Sequence, residues 1–401
     1  MKVLIADKLP TFVVDEIELA GGFCQVDPTL KDVALVERLK AFEPDALIVR
    51  STKVTEQHIE ASQQLQLVVR AGAGVNTIDL EAASRAAISV ANCPGRNAIA
   101  VAELTLGHII NADRRIADNV NDLKAGQWKK KHYSKAAGLK GQTVGVIGCG
   151  AIGRAVIERL KAFEMNVVCF SPLLTEDEAK SLGIRSVNSV RAVAELCSIL
   201  TVHVPRTPQT ENLIDDDIIA ALPDGAIVVN TSRGGIVDEA ALLRAVKDRG
   251  FRAGLDVFAD EPGQDGPWQN ELAKQDGVYG THHIGASTEQ AQASVAAAAC
   301  KIVVDWMQTG VVENCVNLLK QAASKTRLIV RHRDEVGVLA SLLEHLRAAN
   351  LNVKKMQNQI FSGQGGAACA RINVDGHVAD DLLKRLRDVD AVIDIQAIEL
   401  Q

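Results

Sequence analysis

One stretch near the middle of the chain decides the fold: residues Thr143–Arg154 read TVGVIGCGAIGR. Its first five residues form a short apolar run, which is typical of a buried parallel strand. The run ends at Gly148, and an alanine- and leucine-containing helical pattern follows Gly153. Strand, G-x-G-x-x-G and helix in this order are the arrangement of a dinucleotide-binding turn. The stretch therefore predicts an α/β domain that binds a nicotinamide dinucleotide.

Each glycine of this turn has its own predicted task. Gly148 permits the tight turn, Gly150 lacks the Cβ that would block the pyrophosphate, and Gly153 lets the helix pack close to the strand. Ala151 and Ile152 begin the predicted helix, where free backbone N–H groups face the phosphates. A G-x-G-x-x-G pattern alone also occurs in plain strand–helix turns, so the correct flanks carry the prediction.

The nucleotide's ribose is predicted to lie beyond the next strand, Asn166–Phe170. An NAD site usually has Asp or Glu there, about 20 residues after the glycines, but this chain has Ser171. Serine can hydrogen-bond a ribose hydroxyl, yet it does not repel a 2′-phosphate. The first following cation is Lys180. We expect NAD as the cofactor. Because Ser171 discriminates only weakly between NAD and NADP, NADP stays an alternative.

Composition bounds the remaining possibilities. The chain has 401 residues, of which 47% are hydrophobic and 23% charged, and this predicts two or three globular domains. The lack of an apolar run of about 18 residues argues against a membrane span, and the net charge of −6 argues against a nucleic-acid partner. The opening residues Met1–Asp7 predict a first strand rather than a signal peptide.

The eight cysteines are scattered and form no C-x-x-C pair. They predict reduced core residues of a cytoplasmic protein, with neither a disulfide framework nor a metal site.

Strand-like and helix-like patterns alternate over most of the chain, which predicts doubly wound α/β architecture. The predicted strands are Val3–Ala6, Ala46–Val49, Leu67–Val69, Ser89–Val90, Ile199–Val204, Ala226–Asn230, Ala253–Val257 and Val278–Tyr279. The predicted helices are Val33–Phe42, Thr55–Gln63, Leu80–Arg85, a long helix-compatible stretch over Ala98–Ala125, and an alanine-rich helix over Glu289–Met307. After a short polar linker, about 75 residues remain, enough for one small domain.

Three later segments carry candidate chemistry. Arg233 follows a strand, at the sheet edge where open α/β proteins bind ligands, and suits a carboxylate. Asp260 and Glu261 follow another strand, although on local evidence alone they favour a solvated loop. His282 and His283 follow a third, and because neighbours in an extended segment point to opposite faces, at most one is predicted to be catalytic.

These segments resemble the D-isomer-specific 2-hydroxyacid dehydrogenase family. The resemblance covers nearly the whole chain and rests on several motifs in the family's order. They are the nucleotide loop, Val49–Thr55, Arg70–Asn76, Cys93–Asn97, Ala102–Thr105, the Arg-Gly-Gly block from Arg233 to Glu239, and His283–Thr288. The chain departs from the family at His282, where proline is usual, and at Ser171.

The resemblance implies site residues in three groups. The catalytic group is Arg233, Glu261 and His283. The cofactor group is Gly148, Gly150, Ala151, Ile152, Gly153, Ser171, Val204, Pro205, Thr231, Ser232, Asp256, His283, Gly285 and Ala286. The substrate group is Arg50, Ser51, Lys53, Arg70, Gly72, Ala73, Gly74, Arg233 and His283.

The implied activity is NAD-dependent oxidation of D-3-phosphoglycerate, at the entry to serine synthesis. The cations Arg50, Lys53 and Arg70 favour a phosphorylated substrate, while Lys129–Lys131 are as consistent with ordinary surface charge. The shared core motifs leave reduction of glyoxylate, hydroxypyruvate or 2-oxoglutarate as alternatives. A non-catalytic NAD-sensing regulator is a further alternative, which the retained catalytic residues oppose.

The resemblance also implies domain boundaries. A discontinuous substrate domain, 1–97 and 283–315, would flank an NAD-binding domain, 98–282. A linker, 316–326, would lead to an ACT-like ββαβ-type regulatory domain, 327–401. There His332 and Asn352 match serine-contacting positions, whereas Asp334 opposes serine. A homodimer or homotetramer is implied as well, joined through the helices after Ala98.

Overall fold

The structure is a computed structural model that describes residues 1–263, 265–319, 323–362 and 365–400. It divides into two compact units, Met1–Asn317 and Leu318–Gln401. The second unit thus begins inside the predicted linker, of which residues 320–322 lie outside the described ranges.

The first unit opens with a five-stranded parallel sheet of order β2-β1-β3-β4-β5. This is the flavodoxin-like order, and it confirms the doubly wound prediction. The central strand β3 is buried along its whole length, as its uninterrupted apolar sequence requires. The elements are β1 (Lys2–Ile5), α1 (Phe12–Leu19), β2 (Phe23–Val26), α2 (Asp32–Phe42), β3 (Ala46–Val49), α3 (Glu56–Ile59), β4 (Leu67–Arg70), α4 (Leu80–Arg85) and β5 (Ser89–Asn92).

A pair of helices connects this sheet to the next one. The stretch Ala98–Ala125 is helical as predicted, but it forms two helices, because the chain turns at Arg115, whose φ of 52° is left-handed. The result is α5 (Ala98–Arg114) and α6 (Ile116–Lys124), followed by the short α7 (Lys130–Tyr133). Helix α5 is buried against the second sheet, whereas α6 has no buried residue.

The second sheet has seven parallel strands in the order β12-β11-β10-β9-β6-β7-β8. Its strand order reverses between β6 and β9, and dinucleotides bind at such a switch point. The elements are β6 (Thr143–Ile147), α8 (Ala151–Ala162), β7 (Asn166–Phe170), α9 (Glu176–Leu182), β8 (Arg185–Ser186), α10 (Val190–Ala194), β9 (Ile199–Val202), α11 (Asp216–Ala221), β10 (Ile227–Asn230), α12 (Glu239–Arg249), β11 (Arg252–Leu255) and β12 (Val278–Gly280).

The chain then returns to the first sheet. Helix α13 (Glu289–Thr309) packs its buried face, which includes Ala296, Cys300 and Trp306, into the core around β1 and β4. The predicted boundaries at residues 98 and 283 remain a prediction, since Met1–Asn317 forms one compact unit.

The second unit is a four-stranded antiparallel sheet of order β14-β15-β13-β16 with its own apolar core. The ββαβ order predicted for it is wrong, because the observed order is βαββαβ. A second helix forms between β15 and β16 because Leu382 and Leu386, four residues apart, both reach the core. The elements are β13 (Thr326–Arg333), α14 (Val338–Ala348), β14 (Val353–Ile360), β15 (Ala367–Val374), α15 (Asp380–Arg387) and β16 (Val392–Glu399).

Three further properties concern only the described residues. None of their helices has the length and apolarity needed to cross a membrane. All eight cysteines are free thiols, and six of them are buried. Their His, Cys, Asp and Glu side chains form no group of three or more that could hold a metal ion.

Candidate active site

The loops at the carboxyl ends of β10, β11 and β12 meet at one edge of the second sheet. His283, from the loop after β12, places Nδ1 2.7 Å from Oε1 of Glu261, from the loop after β11. His283, and not His282, therefore forms the pair with the carboxylate. Both partners remain accessible to solvent.

The environment of Glu261 keeps it ionised. Partial burial alone would raise the pKa of its carboxyl, but the hydrogen bonds from His283 and the Phe258 N–H and the charge of Arg233 hold that pKa below its ordinary value. An ionised carboxylate only accepts hydrogen bonds. The neutral imidazole must then carry its proton on Nδ1, which leaves Nε2 free as a base.

Asp256 fixes the histidine loop. It is 1% exposed, and its carboxylate accepts hydrogen bonds from Thr281 Oγ1 at 2.6 Å and from the N–H groups of Ile284 and Gly285 at 2.8 Å each. Its backbone carbonyl accepts from the His283 N–H at 2.8 Å. These bonds hold the His283 backbone at a φ of 52°, a value that residues other than glycine rarely adopt. Asp256 thus supports the loop that contains two predicted cofactor contacts, buried Gly285 and exposed Ala286.

Arg233 joins this pair to a cluster of cations. It lies in the loop after β10, and its charge acts on both Glu261 and Arg70. Gly234 allows the arginine loop to approach the neighbouring one, since a Cβ there would lie 1.9 Å from the Phe258 carbonyl oxygen. The Arg233 Nη2 lies 3.2 Å from the position of a Cβ on Gly74, so the predicted loop Gly72–Gly74 covers it.

Arg70 and Arg50 complete the cluster from the first sheet. Burial lowers the pKa of the Arg70 guanidinium, and the like charges of Arg233 and Arg50 lower it further. Nε of Arg70 is buried without a hydrogen-bond partner among the described residues. A Cβ on Gly72 would overlap the Arg70 guanidinium, at 1.4 Å from Nη1. The mutual repulsion of these guanidinium groups, together with the unpaired Nε of Arg70, favours an anionic ligand.

Sequence reasoning missed the carboxylate that shapes this anion site. Asp7, at the carboxyl end of β1, accepts hydrogen bonds from the N–H groups of Arg50, Ser51 and Thr52 at 2.6–3.1 Å and from Ser51 Oγ at 2.8 Å. Its burial tends to raise its pKa, but these hydrogen bonds lower it below the ordinary value. An acidic residue directly after a parallel strand was the available signal. Lys53 is exposed on the same loop.

Ala73 is fixed from a neighbouring strand. The Asn92 side chain donates to the Ala73 carbonyl at 2.6 Å, and the Cys93 N–H donates to the Gly72 carbonyl at 2.9 Å.

The lysines at 129–131 lie in another part of the chain, at the start of α7. Lys129 forms an ion pair with Asp122 at 2.7 Å, and Lys130 is the first residue of α7.

The glycines of the predicted nucleotide loop are in the positions that the turn requires. Gly148 has a φ of 97°, and a Cβ there would lie 2.4 Å from the His203 carbonyl oxygen, just before Val204 and Pro205. A Cβ on Gly153 would lie 2.0 Å from the Gly148 carbonyl oxygen. Gly150, by contrast, faces open space at the start of α8, where Ala151 and Ile152 follow. The open position and the helix start suit a pyrophosphate.

A cation near the predicted ribose site escaped the sequence prediction. Arg154, on α8, donates from Nε to the Cys149 carbonyl at 3.2 Å and pairs with Glu178 at 3.0 Å. Glu178 lies in the first turn of α9, the helix that follows the loop starting at Ser171. Helix α8 brings this arginine to the loop although it precedes the loop in sequence.

The third predicted group lies in the second unit and does not form one site within a single chain. His332 is 1% exposed, and its ring contacts the Arg333 carbonyl at 2.7 Å and Asn358 Oδ1 at 3.1 Å. Asp334 and Asn352 are exposed. The strand register puts His332 beside Ala368, at one end of β15, whereas Asn352 precedes the residue paired with Val374, at the other end.

Comparison with known proteins gives matches to one family. Residues 106–285 match the family described as "D-isomer specific 2-hydroxyacid dehydrogenase, NAD binding domain". The chain is 39% identical over 320 residues to a D-3-phosphoglycerate dehydrogenase of Methanocaldococcus jannaschii, a match that covers 79% of this chain and 60% of that protein. The Bacillus subtilis protein of the same name is 36% identical over 346 residues, which is 85% of this chain and 64% of the relative.

A solved structure gives a similar match. The NAD+-bound 3-phosphoglycerate dehydrogenase of Entamoeba histolytica superposes with a TM-score of 0.65 and 28% identity, and covers 80% of this chain and 99% of that one. The chain spans about three-fifths of the length of the two curated relatives.

Proposed function

We propose that this chain is a member of the D-isomer specific 2-hydroxyacid dehydrogenase family, to which it is similar, and that it oxidises D-3-phosphoglycerate to 3-phosphohydroxypyruvate with NAD. The observation that carries the proposal is the convergence of the His283–Glu261 pair with the guanidinium groups of Arg233, Arg70 and Arg50. A base beside an anion site is what a phosphorylated 2-hydroxy acid needs. The reaction would supply the first intermediate of serine synthesis.

His283 is the proposed general base. The substrate's C2 hydroxyl must lose its proton, and the free Nε2 of the neutral His283 ring can accept it. Glu261 holds the proton on Nδ1 at 2.7 Å and stabilises the imidazolium that forms. In the reverse direction the same imidazolium returns the proton.

The arginines are the proposed substrate-binding groups. Arg233 is the arginine nearest the base, since its charge also acts on Glu261, and it suits the carboxylate or the oxygen on C2. Arg70 and Arg50 suit the phosphate, with Ser51, exposed Lys53 and the Gly72–Gly74 loop around them. Bound anions would relieve the mutual repulsion of the guanidinium groups.

The residues of the glycine loop fit a dinucleotide, because the open position at Gly150 and the start of α8 can accept a pyrophosphate. When bound, the nicotinamide would accept the hydrogen on the substrate's C2 as a hydride, while the hydroxyl proton goes to His283. Val204, Pro205, Thr231 and Ser232 follow neighbouring strands at the same edge and are the proposed contacts to the nucleotide.

Cofactor choice depends on the group beyond β7. We propose a modest preference for NAD over NADP, with NADP still accepted, because Ser171 adds no charge against a 2′-phosphate. The pairing of Arg154 with Glu178 supports the preference, since a phosphate would have to compete with a carboxylate for that guanidinium.

An initial-rate panel tests the proposal. It compares D-3-phosphoglycerate, D-lactate, D-glycerate and D-2-hydroxyglutarate, each with NAD and NADP, and the matching keto acids in reverse. We expect the highest kcat/KM for D-3-phosphoglycerate with NAD. Faster turnover of glyoxylate or hydroxypyruvate would assign another reaction of the family, and no turnover of any substrate would favour an NAD-sensing role.

We also propose a homodimer or homotetramer. The support comes from α6, which has no buried residue although Ile116, Val120 and Leu123 form an apolar stripe on it, and from Trp128, which is 81% exposed. Sedimentation at micromolar concentration tests the assembly. The predicted cytoplasmic location remains a proposal that cell fractionation tests.

The second unit is proposed as an ACT-like domain that binds an amino-acid effector. His332 and Asn352 lie at opposite ends of the sheet in one chain. A site that uses both residues would therefore need His332 from one copy of the chain and Asn352 from a second copy. Calorimetry with L-serine tests binding.

A further inference from the structure

Two of the three polar side chains that helix α5 buries, Thr105 and His108, reach loops of the candidate active site, although the proposed reaction does not use them. Thr105 is fully buried and His108 is 4% exposed, and they lie about one turn apart on the helix. Each hydrogen-bonds to a different loop of the candidate active site. Buried polar groups of this kind are costly unless they are paired, so their partners are informative.

His108 is bonded to the histidine loop. Its Nε2 lies 3.1 Å from Thr281 Oγ1, and Thr281 donates its single hydroxyl proton to Asp256 at 2.6 Å. His108 must therefore be the donor, with its proton on Nε2. Burial lowers the pKa of His108, although the charge of Asp256 acts in the opposite sense, and this favours the neutral ring. Gly254 permits the contact of helix and strand, since a Cβ there would lie 2.5 Å from the His108 Cβ.

The bonds continue from Asp256 to the proposed base. The Asp256 side chain accepts the N–H groups of Ile284 and Gly285, and its carbonyl accepts the N–H of His283. The path from helix to base is thus His108, Thr281, Asp256 and the backbone of His283. Every group along it is fixed by a hydrogen bond of 3.1 Å or less.

Thr105 is bonded to the arginine loop. Its hydroxyl donates to the Val101 carbonyl at 2.8 Å and lies 2.8 Å from Thr231 Oγ1, so Thr231 is the donor between the two hydroxyls. Asn230, the residue before Thr231, donates to the Arg233 carbonyl at 2.9 Å. The arginine loop is therefore attached to the same helix as the histidine loop.

We propose that Thr105 and His108 are positioning residues, which set the spacing between Arg233 and His283 through α5. The assignment deepens the proposed function, because the roles of Arg233 and His283 rest on it. A rigid helix with one contact to each loop fixes two groups that must reach the same substrate. Errors of about 1 Å in such spacing reduce turnover by up to about a hundredfold.

Two pairs of variants test the proposal in the full-length protein. His108→Leu and Thr105→Val remove the hydrogen bonds at nearly constant volume, whereas His108→Gln and Thr105→Ser keep a polar partner. We expect kcat for D-3-phosphoglycerate to fall about tenfold in the first pair, the loss of one buried hydrogen bond, and to recover in the second. KM for NAD should stay within about twofold of the wild-type value. Ile109→Val, a buried position on the same helix, is the control for a general loss of packing.

Hydrogen exchange supplies a readout independent of the substrate. In His108→Leu the amides of Ile284 and Gly285 should exchange about tenfold faster, because their acceptor Asp256 is less well fixed. In Ile109→Val they should exchange as in the wild type. If the wild type does not oxidise D-3-phosphoglycerate, the proposed function fails while this exchange test still stands.

Two results would overturn the positioning roles. One is unchanged exchange and kcat in His108→Leu and Thr105→Val. The other is faster exchange with unchanged kcat in an enzyme that oxidises D-3-phosphoglycerate, which would make the two side chains structural only.

Discussion

Two regions place their polar residues in opposite ways. One is the edge of the second sheet where the loops after β10, β11 and β12 meet, which we call the parallel edge, and the other is the small antiparallel unit. At the parallel edge, Arg233, Glu261 and His283 come from three strand ends. His283 and Glu261 form a pair at 2.7 Å, and the charge of Arg233 acts on Glu261. In the antiparallel unit, His332 lies near the end of β13, while Asn352 lies just before β14. The strand register separates the two residues by the length of β15. Parallel strands bring all their carboxyl ends to one edge, whereas a strand's start and end always lie at opposite edges.

A sequence motif alone is therefore sufficient to place residues together in one of these regions and not in the other. At the parallel edge, position after a strand already implies proximity. In the antiparallel unit, a matched residue type says nothing about proximity until the register is known. Predictions at the two regions therefore differ in the size of the effect that we expect.

The largest effect is expected at the parallel edge. His283→Ala should lower kcat by roughly two to four orders of magnitude, the usual contribution of a general acid–base, with little change in NAD affinity. Stopped-flow turnover and NAD titration by fluorescence measure the two quantities. His282→Ala is the matched control and should stay close to wild type, so the opposite ranking of the two histidines would contradict the assignment.

The same edge offers a test of cofactor choice. Ser171→Asp should raise the ratio of kcat/KM for NAD over NADP by about tenfold or more, because a carboxylate accepts the ribose hydroxyls and repels a 2′-phosphate. Glu178→Gln should shift the ratio toward NADP, since it frees the Arg154 guanidinium. Strong rejection of NADP by the wild type would show that another residue excludes the phosphate.

The sequence was sufficient for the parts of the site that lie directly after apolar strands. Gly148, Gly150 and Gly153 fit their predicted turn, and the strands of both parallel sheets were largely foreseen. Helix α1 and strand β2 were not assigned, because short edge elements bury few residues and leave a weak periodic signal.

Other features depended on information that no local pattern contains. Helices α5 and α6 are separated at Arg115, where the sequence has neither glycine nor proline to mark the turn. Asp7 and Arg154 act on loops distant in sequence, so only the packing of β1 and α8 reveals their partners. The roles assigned to Arg233, Glu261 and His283 stay predictions until the variants are measured.

Asp7 tests how far the strand ends of the first parallel sheet depend on one buried carboxylate. Asp7→Asn should reduce the free energy of unfolding at pH 7 by about 1–3 kcal/mol, since the Arg50–Thr52 amides lose a charged acceptor. The pKa of Asp7 is lowered in the folded state, so its contribution is complete above the unfolded-state value and is lost as the pH falls through the folded value. Urea unfolding of both proteins between pH 7 and pH 3 should show the difference shrink toward acid. A difference that grows toward acid would contradict the role.

The smallest effect is expected in the antiparallel unit, where one chain does not complete a site. Asp334 is exposed, and its carboxylate opposes the carboxylate of L-serine, so the wild type should show weak or no inhibition by serine. Asp334→Asn removes the repulsion and should strengthen serine binding by at most about fivefold, because exposed charges interact by about 1 kcal/mol or less. Calorimetry and initial rates with serine, on both proteins and at concentrations where sedimentation shows an oligomer, measure the change. Inhibition also requires serine to bind the open and closed enzyme differently, so binding without inhibition would separate the site from regulation. Tight binding of serine to the wild type would refute the charge argument, and it would show that two copies bring together the ends that one chain keeps apart.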